Sequence, residues 1–516
     1  MIVFCCPKMI NERSETELTW NNVKKIAGRV VAVIVPVAMQ FLWYLLILKW
    51  LSKAAGLLSI VLTVLSFLFV LYINTKREES SYKTLWLIVI LTFPVLGAVM
   101  YIIFGNNNTA KKLEKNITKA RLHMDYELSD GEKCIGELER EDKRLAQSVK
   151  RISDATGFPM VKLDSAEYFS VGEPCFARMK QELIKAKHYI FLEYFIVQEG
   201  YMWGRILEVL QRKAQQGVEV RMMYDGMCSL VLLPNRYPVQ VEKLGNRCKM
   251  FSPIRPALST MQNNRDHRKI LVIDGQVAFT GGVNLADEYI NRKVRFGHWK
   301  DTAVMVEGEA VRSFTMMFLQ MWNITEREEE DYGKYLDVEI RTKAASGCGY
   351  VMPYGDSPVD NENLAENIYL DIINRAVNYV HIMTTYLILD QEMITALTFA
   401  AKRGVDVTII MPHIPDKKYA FALAKTYYPG LIRAGVKIFE YTPGFVHAKV
   451  FVSDDERAVV GTVNLDYRSL YLHFECATYL YQVPAIAEIE QDIQETLQKC
   501  RKITLEMCRK EKIGMK

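Results

Sequence analysis

His267-Arg268-Lys269-Ile270-Leu271-Val272-Ile273-Asp274 is followed by Gly281 and Asn284; 180 residues later, His447-Ala448-Lys449-Val450-Phe451-Val452-Ser453-Asp454 is followed by Gly461 and Asn464. Both segments read H-x-K-x4-D-x6-G-x2-N, and Leu285 and Leu465 extend the match. Upstream, Lys213-Ala214-Gln215-Gln216-Gly217-Val218-Glu219-Val220 parallels Ala401-Lys402-Arg403-Gly404-Val405-Asp406-Val407. Further up, Ala186-Lys187-His188-Tyr189-Ile190 parallels Ala376-Val377-Asn378-Tyr379-Val380. So many polar and glycine matches in fixed register make residues 151–330 and 345–516 two copies of one fold. Short β-like runs alternate with helical patterns in each copy, which predicts α/β layers.

The apolar runs at 270–273 and 450–452 read as strands, where i and i+2 share a face. His267 and Lys269 then point the same way, as do His447 and Lys449. Asp274-Gly275 and Asp454-Asp455 mark turns. The two aspartates complete the catalytic motif, yet their turn positions leave a structural role open. A pseudo-twofold axis relating the copies would bring two imidazoles and two ammonium groups to one point. The lysines suit phosphate oxygens, and Asn284 and Asn464 can add neutral donors. One histidine can attack phosphorus while the other protonates the leaving alcohol, because imidazole titrates near operating pH. No HExxH occurs, the eight histidines are scattered, and a lysine beside each candidate ligand opposes a cation. No metal and no cofactor are expected.

The chain has 516 residues, a net charge of +5, 50% hydrophobic and 24% charged residues. That excludes a disordered or disulfide-scaffold protein and implies several folded units. Ten cysteines without a regular framework read as free thiols in a reducing compartment. The apolar residues concentrate in residues 1–105, a predicted membrane region of two or three transmembrane helices. Uncharged runs cover 30–48, 54–73 and 84–104, each about 20 residues, enough to cross about 30 Å of hydrocarbon. With three spans, the flanking Lys and Arg divide eight against seven; if the first run does not cross, they divide twelve against three. Either count is read here with the C-terminal part on the cytoplasmic side of the cell membrane. Residues 106–150 read as a charged helical connector. The acidic stretch 326–331 reads as a solvated junction.

The paired motif resembles the HKD motif of the phospholipase D superfamily, and the match is closer to its bacterial cardiolipin synthases. Arg265-Asp266-His267-Arg268-Lys269 is similar to their first motif, and Trp299-Lys300-Asp301-Thr302 to their W-[RK]-D-T segment. Trp86, Pro94, Gly97, Tyr101, Phe104 and Gly105 resemble their last membrane helix. The resemblance implies tandem phospholipase D-like α/β sandwich repeats preceded by transmembrane helices. It implies transfer between two phosphatidylglycerols, giving cardiolipin and glycerol through a phosphohistidine. It also implies an acidic residue behind each histidine, for which Asp301 and Glu475 are the candidates. The family's frequent serine after the motif glycine is replaced by Gly282 in the first copy and Thr462 in the second.

Hydrolysis by a phospholipase D, or phosphatidylserine synthesis, would use the same motif with a different acceptor. The membrane segments favour a lipid acceptor. A nuclease would need a strongly basic groove, so no nucleic-acid partner is expected. A non-catalytic scaffold would not need the intact histidines and lysines of both copies.

Overall fold

The computed structural model describes residues 38–43, 54–76, 80–104, 115, 117–118, 131–228, 232–253, 263–324, 330–340, 349–360 and 362–510. Two compact units form, one within residues 1–108 and one holding nearly all of 109–516. Most of the first apolar run, the acidic residues 326–329 and about half of the connector lie outside the described residues.

The larger unit contains two sheets with one strand order used twice. In the seven-stranded sheet, the motif strand Lys269–Ile273 lies between Val277–Gly281 and Tyr189–Tyr194, both antiparallel to it. Glu219–Asp225 and Arg247–Phe251 then follow as parallel neighbours. In the ten-stranded sheet, Val450–Ser453 lies between Arg457–Gly461 and Tyr379–Met383, again antiparallel, with Asp406–Pro412 and Lys437–Tyr441 following in parallel. This is a mixed α/β fold with two domains of matching strand order.

Strand alternation divides the motif side chains between cores. Ile270 and Val272 join Val450, Val452 and the Ala310–Asn323 helix in a core common to both sheets. Leu271 and Ile273 face a separate core of the first sheet, and Phe451 faces one of the second. Burial on both faces accounts for the continuous apolar runs.

Asp274 and Asp454 occupy the turns after the motif strands, with φ of 52° and 54°. Asp274 accepts backbone N–H bonds from Lys187, His188 and Tyr189 at 2.7–2.8 Å. Asp454 accepts the same set from Val377, Asn378 and Tyr379 at 2.8–2.9 Å. The motif reading groups both with the catalytic residues; the structure instead sets them at the far end of the strand, roughly 16 Å from the lysine by strand rise. They fasten the start of the neighbouring strand, which explains why 186–190 and 376–380 match.

The expected first-copy boundary at 151 does not fall between the two sheets. Helices Gly131–Glu141 and Lys143–Thr156 place Leu138, Leu145, Val149 and Ile152 in the second sheet's core. Val161–Lys162 then pairs with the second-sheet strand Tyr350–Asp356. Glu330, at the end of the acidic stretch, is not simply solvated: it binds the buried Arg221 guanidinium at 2.8 Å.

In the smaller unit, Ala54–Thr75 forms a helix. The run 84–104 is not one continuous helix. It divides into Ser80–Thr92 and Pro94–Phe104, since Pro94 has no N–H and its ring crowds the preceding turn. The chain folds back there. A Cβ on Gly97 would lie 2.7 Å from the Ile90 Cα, and the Trp86 and Tyr101 rings meet edge to face at 5.2 Å. The two limbs are about 20 and 16 Å long, so neither matches the single span expected. Among the described residues, no helix is long and apolar enough to cross a membrane.

Candidate active site

Two short parallel strand pairs join the halves next to the motif histidines. Arg265–Asp266 pairs with the first residues of His473–Tyr481, Asp266 opposite Phe474. His298–Lys300 pairs with Gly444–Val446, Lys300 opposite Val446. One residue further along, the His267 N–H donates to the Phe474 carbonyl at 2.9 Å and the His447 N–H to the Lys300 carbonyl at 2.7 Å. This register sets each histidine beside a carboxylate from the other half.

His267 Nδ1 lies 2.9 Å from Glu475 Oε2, and His447 Nδ1 lies 2.7 Å from Asp301 Oδ2. All four residues are buried. The Nδ1–H donated to the carboxylate leaves Nε2 of each imidazole for chemistry, as a lone pair in the neutral ring or as a donor in the imidazolium. The ammonium groups of Lys269 and Lys449 donate back to the carbonyls of His267 and His447. Lys449 also donates to Thr385 Oγ1 at 3.1 Å.

The two carboxylates differ. Glu475 accepts from Thr462 Oγ1 and Ser469 Oγ as well as from His267. Burial opposes its ionisation, but the His267 imidazole outweighs that and holds it well below the usual carboxylate range. Asp301 accepts from His447 and from the Thr302 N–H. Burial pushes it up to about 7 against the opposing pull of Lys449. Burial also depresses both imidazoles, opposed at His267 by Glu475 and reinforced at His447 by Lys449. It lowers Lys269 to about 8 and Lys449 to about 7.

Gly282 and Thr462 fit these different surroundings. A Cβ on Gly282 would stand 1.9 Å from Asp301 Oδ1, so a side chain there would displace the carboxylate. At the matching position, the Thr462 hydroxyl supports Glu475. The asparagines do not both face the reaction centre as free donors. Asn284 accepts from the Ile196 N–H at 2.9 Å and donates to Tyr289 Oη at 2.8 Å, so it braces two segments of the first half. The Asn464 N–H binds Ser469 Oγ at 2.9 Å, and its side-chain carbonyl has no partner among the described residues.

Sequence reasoning passed over Ser469, Thr385 and His473. His473 carried a signal: it stands two residues before Glu475, on the same face of a strand. Among the described residues, two groups have donor atoms close enough to share a cation, His267–His473–Glu475 and Glu366–Asp390–Glu392. In the first, the Lys269 charge that depresses His267 would also repel a cation.

Two carboxylate-held imidazoles, one able to attack through a free Nε2 and one able to carry a proton there, with two ammonium groups form a site suited to exchange at a phosphate diester. Known proteins are similar to this chain over most of its length. A family model described as cardiolipin synthase, PLD-like domain, matches residues 179–322 and 369–497, more than half of the chain. A phospholipase D-nuclease N-terminal model matches 61–106. A cardiolipin synthase of Geobacillus kaustophilus is 34% identical over 452 residues, covering 86% of this chain and 88% of that protein. One from Alkalihalophilus pseudofirmus is 34% identical over 464 residues, covering 88% and 90%. A protein of Streptococcus mutans is 52% identical over 447 residues, covering 87% and 96%. The crystal structure of phosphatidylserine synthase from Haemophilus influenzae shares the fold, with a TM-score of 0.54 at 14% identity, covering 69% of this chain and 92% of that one. The duplicated motif, the tandem sheets and the extent of these matches establish that the chain belongs to the cardiolipin synthase family of phospholipase D-type phosphatidyltransferases.

Proposed function

We propose that this protein joins two phosphatidylglycerols into cardiolipin and glycerol, with His267 as nucleophile. The observation that carries this reading is the pair of crossed imidazole–carboxylate contacts beside two lysines. An ionised Glu475 fixes the His267 tautomer and stabilises positive charge as Nε2 bonds to phosphorus. His447 enters as the imidazolium held against Asp301, gives its Nε2 proton to the departing glycerol oxygen, and takes one back from the incoming hydroxyl. Its partner Asp301, raised to about 7, suits proton exchange near neutrality. Lys269 and Lys449 neutralise the phosphoryl oxygens.

Lipid substrates fit the smaller unit. The helix Ala54–Thr75 has no charged residue, and Val61, Val64, Phe67, Leu68 and Leu71 on it are exposed. An exposed apolar surface of this kind marks a bilayer contact. We place the protein in the cell membrane with its catalytic unit on the cytoplasmic side.

The test is incubation of the purified chain with labelled phosphatidylglycerol in liposomes, with products resolved by mass. Cardiolipin and glycerol in equal amounts are expected. Phosphatidic acid as the main product would make the protein a phospholipase D. A product that requires serine would make it a phosphatidylserine synthase.

A further inference from the structure

His473 has no part in the scheme above, yet it stands inside the site. Its ring centroid is 5.5 Å from that of His267, and its Nδ1 is 3.7 Å from Glu475 Oε1, beyond hydrogen-bond reach. The side chain is 12% exposed, but neither ring nitrogen has a hydrogen-bond partner among the described residues. Glu475 is already engaged by His267, Thr462 and Ser469. Asp466, the other carboxylate that senses His473, is spent on the Arg468 and Ser469 N–H groups.

A half-buried imidazole whose two nitrogens are buried without a hydrogen bond is costly unless a ligand completes it. Neutral imidazole offers one donor and one acceptor. A phosphate diester only accepts, and the two lysines already serve it. A hydroxyl both donates and accepts, and adjacent hydroxyls can satisfy both nitrogens. We propose that His473 binds the glycerol headgroup of the acceptor lipid beside the phosphohistidine. The proposal rests on the transferase reading above.

In the second half of the reaction, the acceptor hydroxyl oxygen bonds to phosphorus. The bond from phosphorus to His267 Nε2 breaks, its electron pair returning to the imidazole, and the hydroxyl proton passes to His447. Water can follow the same path and yield phosphatidic acid. His473 sets the ratio between the two outcomes by holding the lipid alcohol in place.

The experiment measures the ratio of cardiolipin to phosphatidic acid from phosphatidylglycerol liposomes, using the full chain. His473→Phe keeps the ring volume without the nitrogens and is expected to lower the ratio about tenfold, the scale of a lost buried hydrogen-bond pair. His473→Asn keeps one donor and one acceptor and is expected to restore most of it. Should the Phe variant fail to fold, His473→Ala replaces it with the same expectation. An unchanged ratio in the Phe or Ala variant, or an Asn variant as low as Phe, overturns the proposal. Phosphatidic acid as the main product of the unaltered chain overturns the transferase reading itself, and the two failures are thereby distinguished.

Discussion

His447 from the second half donates to Asp301 from the first across 2.7 Å, with both side chains buried. The reciprocal contact joins His267 to Glu475 at 2.9 Å. Each imidazole therefore depends on the opposite half for its tautomer. Neither half holds both members of either motif-histidine pair.

Asp301→Asn and Glu475→Gln should each lower turnover at least about a hundredfold, the lower range for loss of acid–base function. The amides keep the volume but can present the wrong partner to Nδ1. Glycerol release from labelled phosphatidylglycerol measures this, and circular dichroism checks that the fold is retained. His267→Ala and His447→Ala should fall at least as far. Near-normal turnover in either histidine variant would remove the paired mechanism.

Lysine titration should appear as an alkaline limb. Burial lowers Lys269 to about 8 and Lys449 to about 7 in the free protein. As pH rises through these values the ammonium groups lose their protons, and with them the attraction for phosphate. kcat/KM should therefore decline above about pH 7 to 8. Bound phosphate favours the charged lysines and raises their pKa, so kcat should hold to higher pH. Superimposable profiles for kcat and kcat/KM would contradict this.

Gly282→Ser should inactivate the protein even though serine is small. Its Cβ would fall 1.9 Å from the Asp301 carboxylate, and the loss should approach that of Asp301→Asn. Thr462→Ser keeps the hydroxyl against Glu475 and should stay within about threefold of normal turnover. Thr462→Val removes that bond and should fall about tenfold or more.

Asp274→Ala should act on stability before chemistry. Three backbone N–H groups lose an ionised acceptor, costing about 3 kcal/mol. Asp454→Ala should behave alike. Urea denaturation should show the lowered midpoint, while turnover at low temperature stays within about threefold. A large loss of turnover without a change in midpoint would return these aspartates to the catalytic set.

Both motif strands, the duplication and the two His-x-Lys pairs were legible in the sequence because strand periodicity and turn chemistry are local. Asp301 and Glu475 came from family likeness, since their partners lie in the other copy. That crossing depends on two strand pairs only two or three residues long, and no local pattern announces such pairing. Gly131–Glu141 and Lys143–Thr156 read as a charged connector because their exposed faces are polar. The stripe Leu145, Val149, Ile152 has helical spacing, but periodicity does not say which core receives it. The fold-back at Pro94 was hidden by composition: length suggested a span, and the proline marked the reversal.

The strand Val161–Lys162 and the two helices before it carry one further consequence. They precede the first sheet in the chain but build onto the second. The polypeptide thus contributes first to the second domain, then builds the first and returns to the second. A single backbone cut between Leu336 and Tyr350 would not yield two free domains. Each fragment would keep a share of the second sheet, and the nicked protein would remain one particle. The arrangement is a molecular clasp: a segment that precedes the first domain in the chain is fastened to the second.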